Sequence, residues 1–323
     1  MITGDGVIQY LSTVVSEKDP GASSHWVKYH AGFEFNGDGF QGLRGFGGCQ
    51  RPYTRTKKIL NFLLQGRFRN LGKGTYRYRE VMSIAREITV KQSRAFDLDV
   101  LRQALTVCFL AKYCPTLLEE NKTTCVIGDG FASMTSLLLK CNPGMTVILV
   151  NLNKTLLVDL WYLRLLLGNK EFQDSVALLS SPDCVYELNE RAQNIQPMPK
   201  VIALQASNHK LLRNLQADLV INIASMQEMD PPVVEDYFDD FRIMGAANPL
   251  VFYCCNREEK HLPDGTVSRF VDYPWDQHDQ LLVDEPCPWH QEYYSFKPPF
   301  YRPYDGAHRH RLALLSPKIG FNT

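Results

Sequence analysis

In the run VIGDGFAS, residues 126–133, two glycines flank an aspartate directly after an apolar stretch. Gly128 and Gly130 lack side chains, so their backbone N–H groups can approach a ligand, and the helix expected to follow offers the partial positive charge of its N-terminus. Groups able to take a proton stand further on: Glu228 in SMQEMDPP, and His261 and His290 in an aromatic- and proline-rich stretch. A carboxylate or imidazole so placed suits removal of a proton from a hydroxyl nucleophile. Each has a plainer reading. Glu228 also fits as an N-cap or first-turn carboxylate stabilising the helix that begins near Pro232, and each histidine fits as a surface or hydrogen-bonding residue.

The elements that must position these groups follow from hydrophobic periodicity. Helical spacing is read over Thr56–Asn70, with Ile59, Leu60, Leu63, Leu64 and Phe68 on one face, over Tyr78–Arg94, and over Asp97–Glu120, which Asp97 or Asp99 caps. From Thr124 the pattern alternates. Strands are expected at Cys125–Ile127, Val147–Leu152, Val201–Leu204, Leu219–Ala224 and Leu250–Cys254, and a last one at His310–Ser316. Helices are expected at Ala132–Lys140, Thr155–Leu167, Asp183–Asn194 and Pro232–Met244. Apolar strands alternating with helices imply an α/β fold: a Rossmann-like parallel sheet with helices on both faces, preceded by a helical N-terminal region. The expected division is an irregular arm or lid over 1–53, a helical region over 54–120, and a sheet domain over 121–323 with aromatic-rich substrate loops at 256–303.

Ligands of an open parallel sheet sit beyond the carboxyl ends of its strands. That rule selects Gly128, Asp129, Gly130 and Phe131 after the first strand, Asn151 and Asn153 after the second, and Gln205 and Ser207 after the third. Ser225, Met226, Gln227 and Glu228 follow the fourth, and Asn256 and Arg257 the fifth. A dinucleotide site wants a third glycine where Ser133 stands and an acid after the second strand, and neither is present.

Three segments together are more specific than the turn alone. VIGDGFASM at 126–134, ADLVINIASMQEMDPPVVEDYFDDFR at 217–242 and FYCCNREEKHLPDGTVSRFVDYPW at 252–275, extended by DEPCPWH at 284–290, resemble the sugar O-methyltransferase family within the class I S-adenosylmethionine-dependent methyltransferases. The likeness covers most of residues 80–316. It implies a class I methyltransferase sheet with S-adenosylmethionine over Gly128–Phe131, Asn151 on the ribose, Gln205 or Ser207 near the adenine, and Ser225–Glu228 facing the methyl group. It implies a sugar or glycoconjugate acceptor, with Glu228, His261 or His290 as the proton acceptor. Val126, Ala132 and Asn151 depart from the class pattern, which places acids at the first and third positions and glycine at the second. A neutral amide in place of a ribose-binding carboxylate weakens cofactor binding by about 1–2 kcal/mol. These departures motivate the rival reading of a methyltransferase-fold protein serving as a binding or assembly module.

The remaining chain is bounded more loosely. Hydrophobic residues make up 45% of 323, and 35 basic residues balance 35 acidic ones, so nothing draws the chain as a whole toward nucleic acid or anionic membrane. Nine scattered cysteines without a CxxC, and His308 and His310 apart from any cysteine group, give no reason to expect structural zinc; reduced thiols and a cytoplasmic setting fit best. No signal peptide is read at the N-terminus, and Leu156–Leu167 is too short to span a bilayer. Asp264, Asp272, Asp276 and Asp284 are acids for sugar hydroxyls or a divalent ion, though no spacing singles out a metal. Tyr273, Trp275, Trp289, Tyr293 and Tyr294 either stack on sugar faces or pack a loop-rich subdomain, the latter slightly favoured. Arg51, Arg55, Lys57 and Lys58 either attract a phosphate or nucleotide on an activated sugar or form a solvated helix face, the latter favoured. A homo-oligomer stays open.

Overall fold

Runs of aliphatic residues buried on both faces can only be accommodated side by side between two layers of helices. The computed structural model describes residues 1–15, 17–119, 121–194, 196–246 and 248–318; Glu120, the expected end of one helix, and 319–323, in the expected sheet domain, lie outside the described residues. The chain begins with β1 (Ile2–Thr3), α1 (Asp5–Val14), α2 (Ser24–His30), α3 (Arg55–Leu64), α4 (Gly66–Gly72), α5 (Tyr78–Lys91) and α6 (Leu98–Tyr113). It continues through β2 (Thr123–Ile127), α7 (Ser133–Cys141), β3 (Thr146–Asn151), α8 (Asn153–Leu167), α9 (Asn169–Ser175), β4 (Val176–Leu179) and α10 (Pro182–Gln193). Then come β5 (Val201–Gln205), β6 (Leu219–Ile223), α11 (Pro231–Met244), β7 (Leu250–Arg257), β8 (Gln280–Pro286) and β9 (His308–Leu315).

These nine strands form one sheet in the order β1-β4-β5-β3-β2-β6-β7-β9-β8. The stretch from β4 to β7 is parallel, whereas β9, β8 and β1 pair antiparallel at its margins. From β2 the chain moves outward to β3 and beyond, then returns past β2 to β6, so strand order reverses beside β2 and a crevice opens there. Alternate residues feed opposite cores: Val126, Val147 and Leu149 pack with α1 and α5–α8, while Cys125, Ile127, Ile148 and Val150 pack under α10 and α11. The result is the doubly covered, Rossmann-like α/β sheet that the sequence predicts.

Departures from the expected elements have local causes. The helix expected over Thr56–Asn70 breaks at Gln65, and Ile59 and Leu63 face solvent at 65% and 64% exposure. What holds α3 down is instead Leu64 and the amides of Asn61 and Gln65, both donating to the Phe96 carbonyl at 2.9 and 3.2 Å. Asp97 is the cap of α6, accepting from Val100 N–H at 3.1 Å, and Pro115 follows the helix at Cys114, beyond which the chain continues as a short 3₁₀ turn. Residues 1–53, expected to be an irregular arm, contain an edge strand of the main sheet and two helices; Val7, Ile8 and Leu11 are core residues. No helix among the described residues is long and apolar enough to cross a membrane.

Candidate active site

A cavity of about 570 Å³ lies at the reversal point, beyond the carboxyl ends of β2, β3, β6 and β7. Its roof comes from the segment expected to be an arm or lid: Pro20, Gly21, Ser23, His25, Trp26 and Tyr29 around α2, and Gly45–Gly48. Gly128, Asp129, Gly130, Phe131, Asn151, Ser207, Ser225, Gln227, Glu228, Arg257 and His290 all line it. Asn153, Gln205, Met226 and Asn256 do not. Gln205 donates to Asn153 at 2.6 Å, and Met226 belongs to the core below β6. Asn256 is buried against Asn222, to whose Oδ1 it donates at 2.8 Å. His261 stands away from the cavity on an exposed hairpin, 3.1 Å from Glu259.

The turn after β2 is left-handed at four positions: Gly128 (φ 71°), Gly130 (71°), Phe131 (59°) and Ala132 (47°). A Cβ on Gly128 would meet Ser225 Oγ at 2.3 Å, so this glycine lets the turn close against β6. A Cβ on Gly130 would meet nothing nearer than the Phe46 carbonyl at 3.5 Å, so this glycine borders open space. Ala132, where the class pattern has glycine, adopts the glycine-like conformation at a cost of about 1–2 kcal/mol. The Ala132 N–H donates to Asp159 at 2.9 Å, and the Arg94 guanidinium lies 3.9 Å above the ring of neighbouring Phe131, so both left-handed residues are held.

Asp129 turns back onto α7 and accepts from Met134 and Thr135 N–H at 2.8 and 2.7 Å. The charge the helix N-terminus was expected to offer a ligand is therefore answered largely from within the chain. Asn151 is likewise committed, donating to Asp159 at 2.8 Å and accepting from Leu152 N–H at 3.0 Å. Asp159 is wholly buried, and burial first, then neighbouring Asp129, pushes its carboxyl well above the usual range. The sequence reading passed over it, yet a carboxylate inside the apolar run 156–167 has to find partners, and that was the available signal. Arg94, also missed, is buried between the Ser133 hydroxyl at 3.2 Å and the Cys49 carbonyl at 3.3 Å. Thr155 Oγ1, at the start of α8, lines the cavity buried and without a partner.

Across the cavity stands Glu228. Its carboxylate accepts from Lys260 Nζ at 2.7 Å and lies 3.4 Å from His25 Nε2. This ion pair, rather than a cap on α11, is what its side chain makes. Burial raises its proton affinity and Lys260 opposes the rise. The Ser23 hydroxyl donates to the Glu228 carbonyl, tying α2 to this corner. His25, burdened by burial and then by Lys260 and Arg257, has its pKa pushed down to about 3, so it is a neutral imidazole near pH 7. No local pattern marks His25: it is 203 residues away from Glu228 in the chain.

A second chamber of about 460 Å³ shares Gly47, Gly48, Asp99, Arg102, Arg257 and Tyr304 with the first. Tyr53, Tyr293, Tyr294 and Phe296 form its aromatic walls, with Asp305 at its edge. The tail aromatics thus divide. Tyr293 and Tyr294 face a chamber, whereas Tyr273, Trp275 and Trp289 pack: Trp275 stacks on Phe252 at 5.6 Å and Trp289 meets Phe109 at 5.9 Å. Asp264, Asp272, Asp276 and Asp284 line neither chamber, and Asp284 pairs with Arg309 and Arg311. Arg51, Arg55, Lys57 and Lys58 are solvent-exposed.

No protein-family model matches the chain, nor does any curated protein. Solved structures do. The mitomycin 7-O-methyltransferase MmcR is 11% identical over 67% of this chain and 57% of its own, with a TM-score of 0.31. The precorrin-6y C5,15-methyltransferase from Geobacter metallireducens GS-15 is 13% identical over 66% of this chain and 87% of its own, at 0.34. The pyocyanin biosynthetic protein PhzM is 9% identical over 67% and 57%, at 0.36. The chain spans little more than half of MmcR and PhzM, and TM-scores this low decide nothing about its chemistry.

Proposed function

We propose that the chain transfers a methyl group from S-adenosylmethionine to a hydroxyl of a sugar or glycoconjugate. The observation that carries the reading is the left-handed glycine turn opening, at the strand-order reversal, into a cavity whose volume suits a nucleoside-sized ligand. The residues fit that cofactor. Gly130 leaves backbone room, Arg94 offers a cation to a carboxylate, and the unpartnered Thr155 hydroxyl beside Asn151 offers a bond to a ribose diol. Ser207 lines the wall where an adenine is expected.

When bound, the cofactor supplies a methyl group on a sulfonium, open to in-line displacement, so alignment accounts for much of the acceleration. The chain's own part is to align the hydroxyl and take its proton. Glu228 is placed for this: its carboxylate is held by Lys260 and shielded from bulk water beneath α2. Neutral His25, beside it, can relay the proton outward. The second chamber suits the acceptor, because flat tyrosine faces cover the C–H faces of a sugar ring while Asp99 and Asp305 accept from hydroxyls.

A second reading, a methyltransferase-fold binding module, is favoured by one observation: the side chains of Asp129 and Asn151 are already satisfied within the chain. Calorimetric titration of the full chain with S-adenosylmethionine separates the two. Saturable heat with a thermal shift supports the enzyme; no heat and no shift sinks it. Labelled-methyl transfer onto a panel of sugars and glycans, against phenols and amines, then tests the acceptor separately.

A further inference from the structure

The spacing of the cysteines gave no reason to expect a metal, but the fold gathers three donors that the sequence scatters. Cys255 near the end of β7 and Cys287 and His290 in the turn after β8 bring two sulfurs and an imidazole nitrogen within 4.8 Å of one another, all buried. The positions are fixed by backbone. Cys255 is paired in register with His310 of β9, Cys287 N–H donates to the His308 carbonyl at 2.8 Å, and His290 N–H closes the turn onto the Cys287 carbonyl at 3.1 Å. The C-x-x-H spacing of residues 287–290 presents two ligands from one turn.

A second, independent observation concerns His290 itself. Both of its ring nitrogens are buried without a partner, and among the described residues no other side chain has two such atoms. A ring nitrogen buried without a partner costs about 1–3 kcal/mol, so an imidazole in this state calls for a ligand. Stacking on His308 at 5.1 Å leaves the edge of the ring, where the nitrogens lie, uncompensated. Arg102, buried against the same turn, donates to the Trp289 and Glu292 carbonyls at 2.8 and 2.7 Å and so fixes the backbone on either side of His290.

We propose that Cys255, Cys287 and His290 bind one zinc-like divalent ion. Two thiolates and a neutral imidazole form a borderline-soft donor set, which selects zinc over magnesium or calcium. Donors of a tetrahedral zinc centre stand about 3.5–3.8 Å apart, so the cluster needs to contract by only about an ångström to enclose the ion. Binding exchanges the two thiol protons for the metal, releasing both to solvent. No fourth histidine, cysteine or carboxylate among the described residues completes the group, so the fourth position belongs to a water or another exogenous ligand. His290 also lines the larger cavity, which sets the ion at its wall. None of this depends on methyl transfer.

The test is elemental analysis of the full chain, purified without a polyhistidine tag and dialysed against metal-free buffer. One zinc per chain is expected, falling at least tenfold in Cys255→Ser and Cys287→Ser. Should either variant fail to fold, the wild-type chain reconstituted with Co²⁺ gives the reading: a thiolate-to-cobalt charge-transfer band supports the site. A chain that carries no metal and takes up neither Zn²⁺ nor Co²⁺, folded variants that keep their zinc, or a Cys255–Cys287 disulfide found by peptide mapping each overturns it.

Discussion

At the β2 end of the cavity, the turn's polar side chains answer one another: Asp129 holds α7, and Asp159 holds both Ala132 and Asn151. At the β6 end, a carboxylate, an ammonium and a neutral imidazole are packed together, and His25 Nε2 has no hydrogen bond at all. The first end is a scaffold whose bonds fix a strained, left-handed backbone. The second keeps charge and a free nitrogen in reserve, which is what the proposed proton transfer would require. The side chains of Asp129 and Asn151, which sequence reasoning assigned to the cofactor, therefore largely shape the cavity, and under the proposed function binding would fall to backbone and to groups such as Thr155 and Arg94.

The sharpest way to break this contrast is Glu228→Gln. If the β6 end does the chemistry, turnover falls by between about 10² and 10⁴-fold. Affinity for S-adenosylmethionine by calorimetry stays nearly unchanged. Lys260 loses its counter-ion, so stability in urea falls as well, by about 1–3 kcal/mol. Glu228→Gln with Lys260→Met relieves that loss without restoring turnover. Full activity in Glu228→Gln removes it as the base.

Gly128→Ala probes the scaffold end. The new Cβ would lie 2.3 Å from Ser225 Oγ at a φ of 71°. Overlap of about 1–3 kcal/mol adds to a left-handed penalty of about 1–2 kcal/mol. Urea unfolding of Gly128→Ala, Ser225→Gly and the double variant separates them: the double variant recovers the overlap and keeps the backbone penalty. Simple additivity in that cycle would mean that Gly128 serves ligand approach rather than the contact with β6.

How much of this was legible follows from the physics of each part. The strands of the parallel sheet could be read because burial on both faces leaves unbroken apolar runs such as Val147–Val150. β4 carries a buried apolar run as long as that one but follows α9 with no turn residue between them, which hides its start, and β8 is largely exposed. The glycine turn was legible as a turn, but the destination of its polar side chains was not, since Asp129 facing α7 and Asp129 facing a ligand have the same sequence. His25 and the Cys255–Cys287–His290 cluster exist only through contacts between segments far apart in the chain, which periodicity does not record. Asp159 differs: an acid inside an apolar helix is a local signal for a buried partner, and the sequence reading did not use it.

The smallest expected effect concerns the roof that closes the β6 end. His25 faces Glu228, Lys260, Arg257 and Lys28, and His30 faces Asp19 and Lys154; burial first pushes their pKa values down, to about 3 and about 4. Since the unfolded values lie near 6.5, the folded state binds fewer protons than the unfolded one at intermediate pH, and stability rises with pH there. The contribution is complete above pH 6.5 and is lost progressively as pH falls toward 4. Glu228 and Asp19, raised by burial, act in the opposite sense below their own titrations. The loss should appear locally. Hydrogen-exchange protection of the 24–30 amides, measured relative to the slower intrinsic exchange at low pH, should fall between pH 6.5 and 4.5 before that of β2 and β3, and His25→Gln should flatten the change. Equal loss of protection across roof and sheet would show that the two ends of the cavity open as one unit.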